Sequence, residues 1–199
     1  MRNAYSGYTY QKHVTELLLS KMDVERSIDK VEIEADVNNK FDDAKVSFGD
    51  VEYYFQIKDF EGISLDDLVL SNGYIKIRGN SHKLSDAKNI LFFKSIPLTP
   101  NCEILGFPAF KLSDIYIVSF NRSQIDEKIA EFYKNDILRK QEIENWFHEC
   151  LDKREWILLR EDLPSIKVFN TELQEKTIDT GRKHLQIQNL LLIEGKPGV

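Results

Sequence analysis

The chain has 199 residues, of which 42% are hydrophobic and 11% aromatic, enough to bury a core of ordinary domain size. A formal net charge of −6 argues against a protein whose main task is to coat nucleic acid, since that task usually requires a basic surface. No apolar run approaches the ~20 residues that span a bilayer, and the N-terminus does not have the pattern of a signal peptide. We therefore expect a cytoplasmic protein that does not contact the membrane.

Hydrophobic periodicity predicts one helix followed by three strands at the start of the chain. Apolar residues recur at helical spacing from Tyr10 to Met22, which predicts a helix of about four turns after Gly7. Apolar and polar residues then alternate over 31–36, 43–48 and 51–58, the pattern of strands with one apolar face each.

The rest of the chain is predicted to mix strands and helices, so the predicted fold class is α/β of the mixed α+β kind. A three-stranded antiparallel meander follows the first helix, with additional strands and C-terminal helices after it. The expected strands span 74–78, 90–93 and 115–120; the expected helices are a short one over 64–70, two consecutive ones over 123–151, and one over 172–188.

Gly49 and Asp50 lie between two alternating runs, which is the spacing of a two-residue β-hairpin. If Phe48 pairs with Val51, Asp43 lies opposite Gln56, and Lys58 shares their face of the sheet. The opposite face is apolar, so a slip of one residue would bury the polar group. We expect this polar group to face a cleft beneath the first helix. The apolar face comprises Ala44, Val46, Phe48, Val51, Phe55 and Ile57.

The three polar side chains predict a cation site on this face. A carboxylate and an amide oxygen are ligands for a hard cation such as Mg²⁺ or Mn²⁺. A neighbouring ammonium can orient a water or stabilise charge that develops on a phosphate. The alternative is a cross-strand polar cluster on a solvated sheet face.

The pattern resembles that of the PD-(D/E)XK nuclease superfamily, in which an Asp on the second strand precedes an (E/D/Q)-x-K on the third. Asp43 matches the Asp, and Gln56-Ile57-Lys58 matches the Q-x-K form. The resemblance implies a restriction-endonuclease-like core. No Pro precedes Asp43, and Gln56 stands where an acid is commoner, which leaves the metal one charged ligand fewer.

Several further residues resemble one branch of the superfamily, the nuclease domains of CD-NTase-associated and STAND NTPase anti-phage effectors. They are Gly7 to Gln11, Glu34 within "VEIEAD", and Asp42-Asp43. The resemblance implies a Mg²⁺-dependent endonuclease acting on double-stranded DNA. It implies that Asp43, Gln56 and Glu34 hold one or two metal ions, and that Lys58 and Gln11 complete the catalytic set.

The first helix offers two candidates for the active-site position that this superfamily often places there. At about 100° per residue, Glu16 lies roughly 150° from the apolar stripe, whereas Gln11 lies at its edge. We therefore expect Gln11 at the site and Glu16 on a solvated face. In "IKIRGNSHK", the basic residues Lys76, Arg78 and Lys83 are candidates for DNA-backbone contact.

The last residues, "LLLIEGKPGV", read as a buried strand followed by the first five positions of a P-loop, from Gly195 to Val199. We therefore expect a nuclease domain over 1–170, and over 171–199 a linker helix with the first strand and partial Walker A motif of a truncated NTPase domain. The resemblance to STAND effectors implies partners: the protein's own C-terminal NTPase and sensor domains, a phage protein as trigger, and further copies in an activated homo-oligomer. The alternative function is a catalytically inactive nuclease-like domain used for oligomerisation or target binding.

Overall fold

The structure is a computed structural model that describes residues 2–36, 41–61, 87–95, 99–134 and 136–165. The chain divides into two units, Met1–Pro164 and Ser165–Val199, and all elements below belong to the first. The predicted strand over 74–78 and the predicted helices over 64–70 and 172–188 lie outside the described residues, as do the P-loop positions.

The first unit follows the predicted order of a helix, a meander, further strands and two late helices. Its elements are α1 (Arg2–Val24), β1 (Lys30–Ile33), β2 (Ala44–Phe48), β3 (Val51–Glu61), β4 (Lys88–Ser95), β5 (Cys102–Ile104), β6 (Phe107–Leu112), β7 (Ile115–Ser119), α2 (Arg122–Tyr133), α3 (Ile137–Asp152), β8 (Ile157–Leu159) and a 3₁₀ turn (Arg160–Asp162). The mixed α+β class is confirmed.

Within the described part of the chain, the strands form one mixed sheet of eight strands in the order β5-β6-β7-β4-β3-β2-β1-β8. β1, β2 and β3 form the predicted antiparallel meander. β4 lies between β3 and β7 and is parallel to both, whereas the pairings at the two edges are antiparallel. The carboxyl ends of β3, β4 and β7 therefore lie at one edge of the sheet.

The two faces of the sheet carry different cores. One face packs against α1, whose Tyr10, Val14, Leu17 and Leu18 are fully buried, and α2 and α3 complete this main core. The smaller core on the other face consists of Phe41, Tyr54, Leu91, Phe93, Ile115 and Ile117. Because burial on both faces removes the alternation of a half-exposed strand, residues 90–93 of β4 form a continuous apolar run.

Three predictions about the elements are corrected. α1 has 23 residues and begins before Gly7, so it is longer than the predicted helix of about four turns. β5, β6 and β8 were not predicted; β5 and β8 have three residues each, too few to show periodicity. Phe48 was expected on the apolar face but is 43% exposed, because it lies at the hairpin end, beyond the cover of α1.

None of the described helices is long and apolar enough to cross a membrane.

Candidate active site

The β2–β3 hairpin has the predicted register. Phe48 pairs with Val51, and the ladder continues to Ala44 opposite Phe55. Gly49 adopts a φ of 55°, a conformation that side-chain-bearing residues rarely adopt, and its N–H donates to Asp29 Oδ2 at 2.8 Å. This turn fixes which β3 side chains lie beside Asp43, the residue just before β2.

The main chain of Asp43 is held from three directions. Its N–H donates to the carbonyl oxygen of Phe55 at 3.1 Å. Its carbonyl oxygen accepts from the N–H of Glu34 at 3.0 Å and from Nε2 of Gln11 at 2.9 Å. The start of β2 is thus tied to β3, to the end of β1 and to α1, which leaves the carboxylate of Asp43 little freedom to move.

The carboxylate of Asp43 brings the three predicted residues together. Its Oδ2 accepts from the N–H of Ile57 at 2.6 Å and from Nε2 of Gln56, and Lys58 Nζ lies 3.6 Å from the same oxygen. The β2–β3 ladder has ended at this point, so the carboxylate serves as the partner of the Ile57 N–H. We call Asp43, Gln56 and Lys58 the polar triad.

The polar triad lies on the sheet face opposite to α1, which corrects the expectation of a cleft beneath the first helix. In the parallel β3–β4 register, Gln56 is opposite Leu91 and Lys58 is opposite Phe93, and both partners belong to the smaller core. α1 packs against the alternate residues of β3, such as Phe55. Gln11 alone links α1 to the triad, through the main chain of Asp43.

Exposure differs among the members of the polar triad. Gln56 is buried, with 6% of its surface exposed, whereas the side chains of Asp43 and Lys58 are 22% and 29% exposed. Asp43 Oδ1 accepts no hydrogen bond from the described residues. One carboxylate oxygen and one ammonium therefore face accessible space above a buried amide.

Glu34 contacts Asp43 through the main chain, but its side chain lies outside the polar triad. It follows β1 with a φ of 50°, which breaks the alternation of the strand and leaves the residue exposed. Its main-chain N–H contacts Asp43, and its carboxylate has no hydrogen bond or ion pair with the described residues. Gln11 contacts the main-chain carbonyl of Asp43, and no hydrogen bond joins it to the Asp43 carboxylate in the described part of the chain.

A second polar group lies beside the triad on the same face and was not predicted. Lys45 Nζ is 2.7 Å from Glu52 Oε1, and the Tyr54 hydroxyl donates to Glu52 Oε2 at 2.6 Å. Hydrogen bonds from Lys45 and then from Tyr54 lower the pKa of Glu52. The register could have revealed this group, because Lys45 pairs with Tyr54 and Ser47 with Glu52.

The face that packs against α1 has its own charged group, centred on Asp59, whose side chain is 6% exposed. Arg122 Nη2 lies 3.3 Å from Asp59 Oδ2, and Lys94 Nζ lies 3.5 Å from Asp59 Oδ1. Asp59 directly follows Lys58, so alternation along β3 sends the two charges to opposite faces.

The donor set of the triad fits a hard cation. Asp43 Oδ1 accepts no hydrogen bond from the described residues, and a rotated Gln56 amide would present its oxygen, in place of its NH₂ group, beside the Asp43 carboxylate. Mg²⁺ is commonly held by one or two carboxylates, with waters and substrate phosphates completing the shell. No three His, Cys, Asp or Glu side chains come together as a metal group in the described ranges. Lys76, Arg78 and Lys83 lie outside those ranges.

Comparison with known proteins gives no relative: no protein-family model, no curated protein and no solved structure matches the chain.

Proposed function

We propose that this chain is a metal-dependent endonuclease domain that hydrolyses phosphodiester bonds in double-stranded DNA, and that the polar triad is its active site. The observation that carries the proposal is the convergence of Gln56, the Ile57 N–H and Lys58 on one carboxylate oxygen of Asp43. A partner for the Ile57 N–H alone would not require a buried amide and an ammonium beside the same carboxylate oxygen.

Each member of the triad has a separate task in this proposal. The Asp43 carboxylate and the Gln56 amide oxygen would hold Mg²⁺ or Mn²⁺, and the bound ion would supply an activated water and neutralise phosphate charge. Lys58 donates to a non-bridging phosphate oxygen and stabilises the charge that grows there in the transition state. Glu34, exposed beside the main chain of Asp43, supplies a further oxygen to the metal shell. Gln11 holds Asp43 in place from α1.

The wider role follows from the resemblance to anti-phage effectors. We propose a cytoplasmic effector domain that works with an NTPase and a sensor of the STAND type. A phage protein triggers assembly, and the homo-oligomer brings several nuclease heads to one duplex. Several heads on one DNA raise the effective concentration of active sites without any new contact.

The second candidate is an inactive nuclease-like domain that serves oligomerisation or target binding. Two observations favour it: an amide stands at position 56, and the Glu34 carboxylate makes no contact with the triad. A domain that had lost catalysis would be expected to have lost Asp43 or Lys58 as well. Both residues are present, and they are in contact.

Replacement of Lys58 by Ala separates the two candidates. We expect Lys58→Ala to reduce plasmid nicking in Mg²⁺ or Mn²⁺ by about 10²-fold or more while circular dichroism stays unchanged, because a partly exposed lysine contributes little to stability. Lys128→Ala, which removes an exposed charge from α2, is the matched control and should nick at the wild-type rate. Full activity in a folded Lys58→Ala protein would refute the catalytic role, and the absence of any nicking by the wild type under triggered assembly would favour the inactive domain.

A further inference from the structure

A cavity of about 290 Å³ opens at the carboxyl ends of β4 and β7, beside the start of α2. Lys94, Ser119, Asn121 and Gln124 supply polar groups to its lining, and Phe110 and Pro108 supply apolar surface. Of the described residues that line the cavity, Lys94 is the one charged residue, and none is acidic. The Lys94 ammonium is also ion-paired with Asp59, 3.5 Å away, so its charge is shared with a carboxylate outside the lining.

The cavity lies close to the polar triad. Lys58 is in register with Phe93, and Phe93 with Ser119, so Ser119 shares the triad's sheet face two strands away. Two strand spacings correspond to roughly 10 Å. Lys94, paired with Asp59 at 3.5 Å, lies on the opposite face from Lys58, so the cavity is lined from both faces at the carboxyl ends of the strands. A strand of DNA whose phosphate lies at Lys58 would reach the cavity within a few nucleotides, since successive nucleotides rise about 3.4 Å in a duplex.

The hydrogen bonds of Asn121 and Gln124 determine which atoms they offer to a ligand. Asn121 Oδ1 accepts from the Gln124 N–H at 2.9 Å, and Gln124 Oε1 accepts from the Asn121 N–H at 2.8 Å. Both amide oxygens are thus engaged with the main chain, which leaves the NH₂ groups as the donors that these two side chains can offer to a ligand. Together with Lys94, the polar part of the lining therefore favours a ligand rich in acceptor oxygens, and a phosphate is such a ligand.

The size and apolar lining restrict the ligand further. Pockets for small molecules usually begin at about 300 Å³, so this cavity suits one nucleotide rather than a longer segment. Phe110 is only partly buried and offers a ring surface on which a base or sugar can pack. Inorganic phosphate would leave that apolar surface unused.

We propose that this cavity is a substrate subsite that holds one phosphate-bearing nucleotide of the DNA strand cut at the polar triad. The phosphate contacts the NH₂ groups of Asn121 and Gln124 and the ammonium of Lys94, and the base packs against Phe110. The subsite fixes the position of the strand relative to Lys58. The role as a substrate subsite rests on the proposed nuclease function, but binding of a nucleotide there does not.

The test uses a double variant that reverses the donors and keeps the fold. Asn121→Asp with Gln124→Glu retains both oxygens of the capping box, and negative charge at this end of a helix does not weaken it. Each NH₂ donor becomes a carboxylate oxygen that repels phosphate. Asn145→Asp with Gln141→Glu makes the same chemical changes at exposed positions of α3 and is the matched control. Gln124→Glu alone provides a second variant with a smaller change.

Binding of thymidine 5′-monophosphate is measured by calorimetry in metal-free buffer, with thymidine and inorganic phosphate as comparison ligands. We expect the wild type and the α3 control to bind the monophosphate equally and more tightly than either comparison ligand. The capping-box double variant should bind it at least about tenfold more weakly, and Gln124→Glu should lie between. Equal affinity in all variants, equal weakening in both double variants, or no binding by the wild type would overturn the subsite.

Plasmid nicking by the same proteins separates this proposal from the nuclease function. Loss of monophosphate binding together with Lys58-dependent nicking by the wild type would remove the subsite and leave the function. Monophosphate binding that depends on Asn121 and Gln124, in a protein without nuclease activity, would keep a nucleotide site and remove the function.

Discussion

Gln56 is the least exposed member of the polar triad, and it stands where an acid is commoner in the superfamily that the pattern resembles. Gln56→Glu would add a second carboxylate within hydrogen-bond distance of Asp43. Without metal, two carboxylates in contact repel each other, so we expect the free energy of unfolding to fall by about 2 kcal/mol. A bound divalent cation removes the repulsion, so Mg²⁺ should stabilise Gln56→Glu more than the wild type.

Urea unfolding with and without Mg²⁺ measures this difference. Gln141→Glu is the control, because it adds the same charge at an exposed position of α3 and should show no response to Mg²⁺. If Mg²⁺ stabilises Gln56→Glu no more than the control, then Asp43 and position 56 do not share a cation.

Glu16 was expected on a solvated face, yet its side chain is only 16% exposed. Burial is the main cause that raises its pKa; His13, at 3.7 Å, and Lys12, at 3.9 Å, oppose the shift, as does His148, and Glu144 adds to it. Periodicity did not predict the burial of Glu16, because it identifies only the face of α1 that packs on the sheet. It does not identify the face that α2 and α3, later in the chain, cover.

The raised pKa of Glu16 makes its effect on stability depend on pH. A carboxyl whose folded pKa exceeds its unfolded value stabilises the fold only at low pH, and the contribution is lost as pH rises through the folded pKa. We therefore expect the free energy of unfolding of Glu16→Gln, relative to that of the wild type, to be higher at about pH 8 than at about pH 4. Unfolding in urea at both pH values checks it, with exposed Glu131→Gln on α2 as control. A difference that shrinks as pH rises would contradict the burial of an ionised Glu16.

At the scale of elements, a buried ion pair joins α1 to α3. Arg139 Nε donates to Asp23 Oδ2 at 3.0 Å, and its Nη1 donates to the carbonyl oxygen of Pro164 at 2.8 Å. Asp23→Ala leaves the buried guanidinium of Arg139 with only Glu142, at 3.2 Å, as counterion, so it should lower the free energy of unfolding by about 3 kcal/mol.

The exposed Lys128–Glu131 pair on α2 provides the comparison for Asp23. Glu131→Ala should cost less than about 1 kcal/mol in the same urea titration, because exposed ion pairs contribute little. Similar losses in the two variants would mean that the contact between α1 and α3 does not depend on the Asp23–Arg139 pair.

Elements with local signals were predictable from the sequence, and those that depend on distant partners were not. The meander followed from period-two alternation and from Gly49, and the contact of Asp43 with Gln56 followed from that register. The parallel placement of β4 between β3 and β7 has no local signal. The resemblance named Glu34 as a metal-site residue, but its position outside the polar triad could not be predicted, because a left-handed residue ends the alternation that would place its side chain.

At the scale of the whole molecule, a net charge of −6 opposes the approach of DNA. Binding must then depend on local phosphate contacts, which salt weakens. We expect the nicking rate of the isolated chain at low DNA concentration to fall by about 10³-fold between 50 and 200 mM salt at fixed Mg²⁺, if about six phosphates are contacted. Initial rates across a salt series measure this, and a flat response would show that phosphate contacts do not limit the reaction.

The central claim is that the carboxylate of Asp43 is the metal-binding acid of a nuclease, and a matched pair of aspartates tests it. Asp43→Asn and Asp42→Asn remove one charge each from adjacent residues, but only Asp43 contacts Gln56 and Lys58; Asp42 is exposed. The measurement is the initial rate of plasmid cleavage in Mn²⁺ for the two variants and the wild type, with EDTA as the metal-free reference. We predict that Asp43→Asn cuts about 10³-fold more slowly, that Asp42→Asn keeps nearly the wild-type rate, and that EDTA abolishes cutting in all three proteins. Cleavage by Asp43→Asn at the wild-type rate, or cleavage that persists in EDTA, would contradict the account.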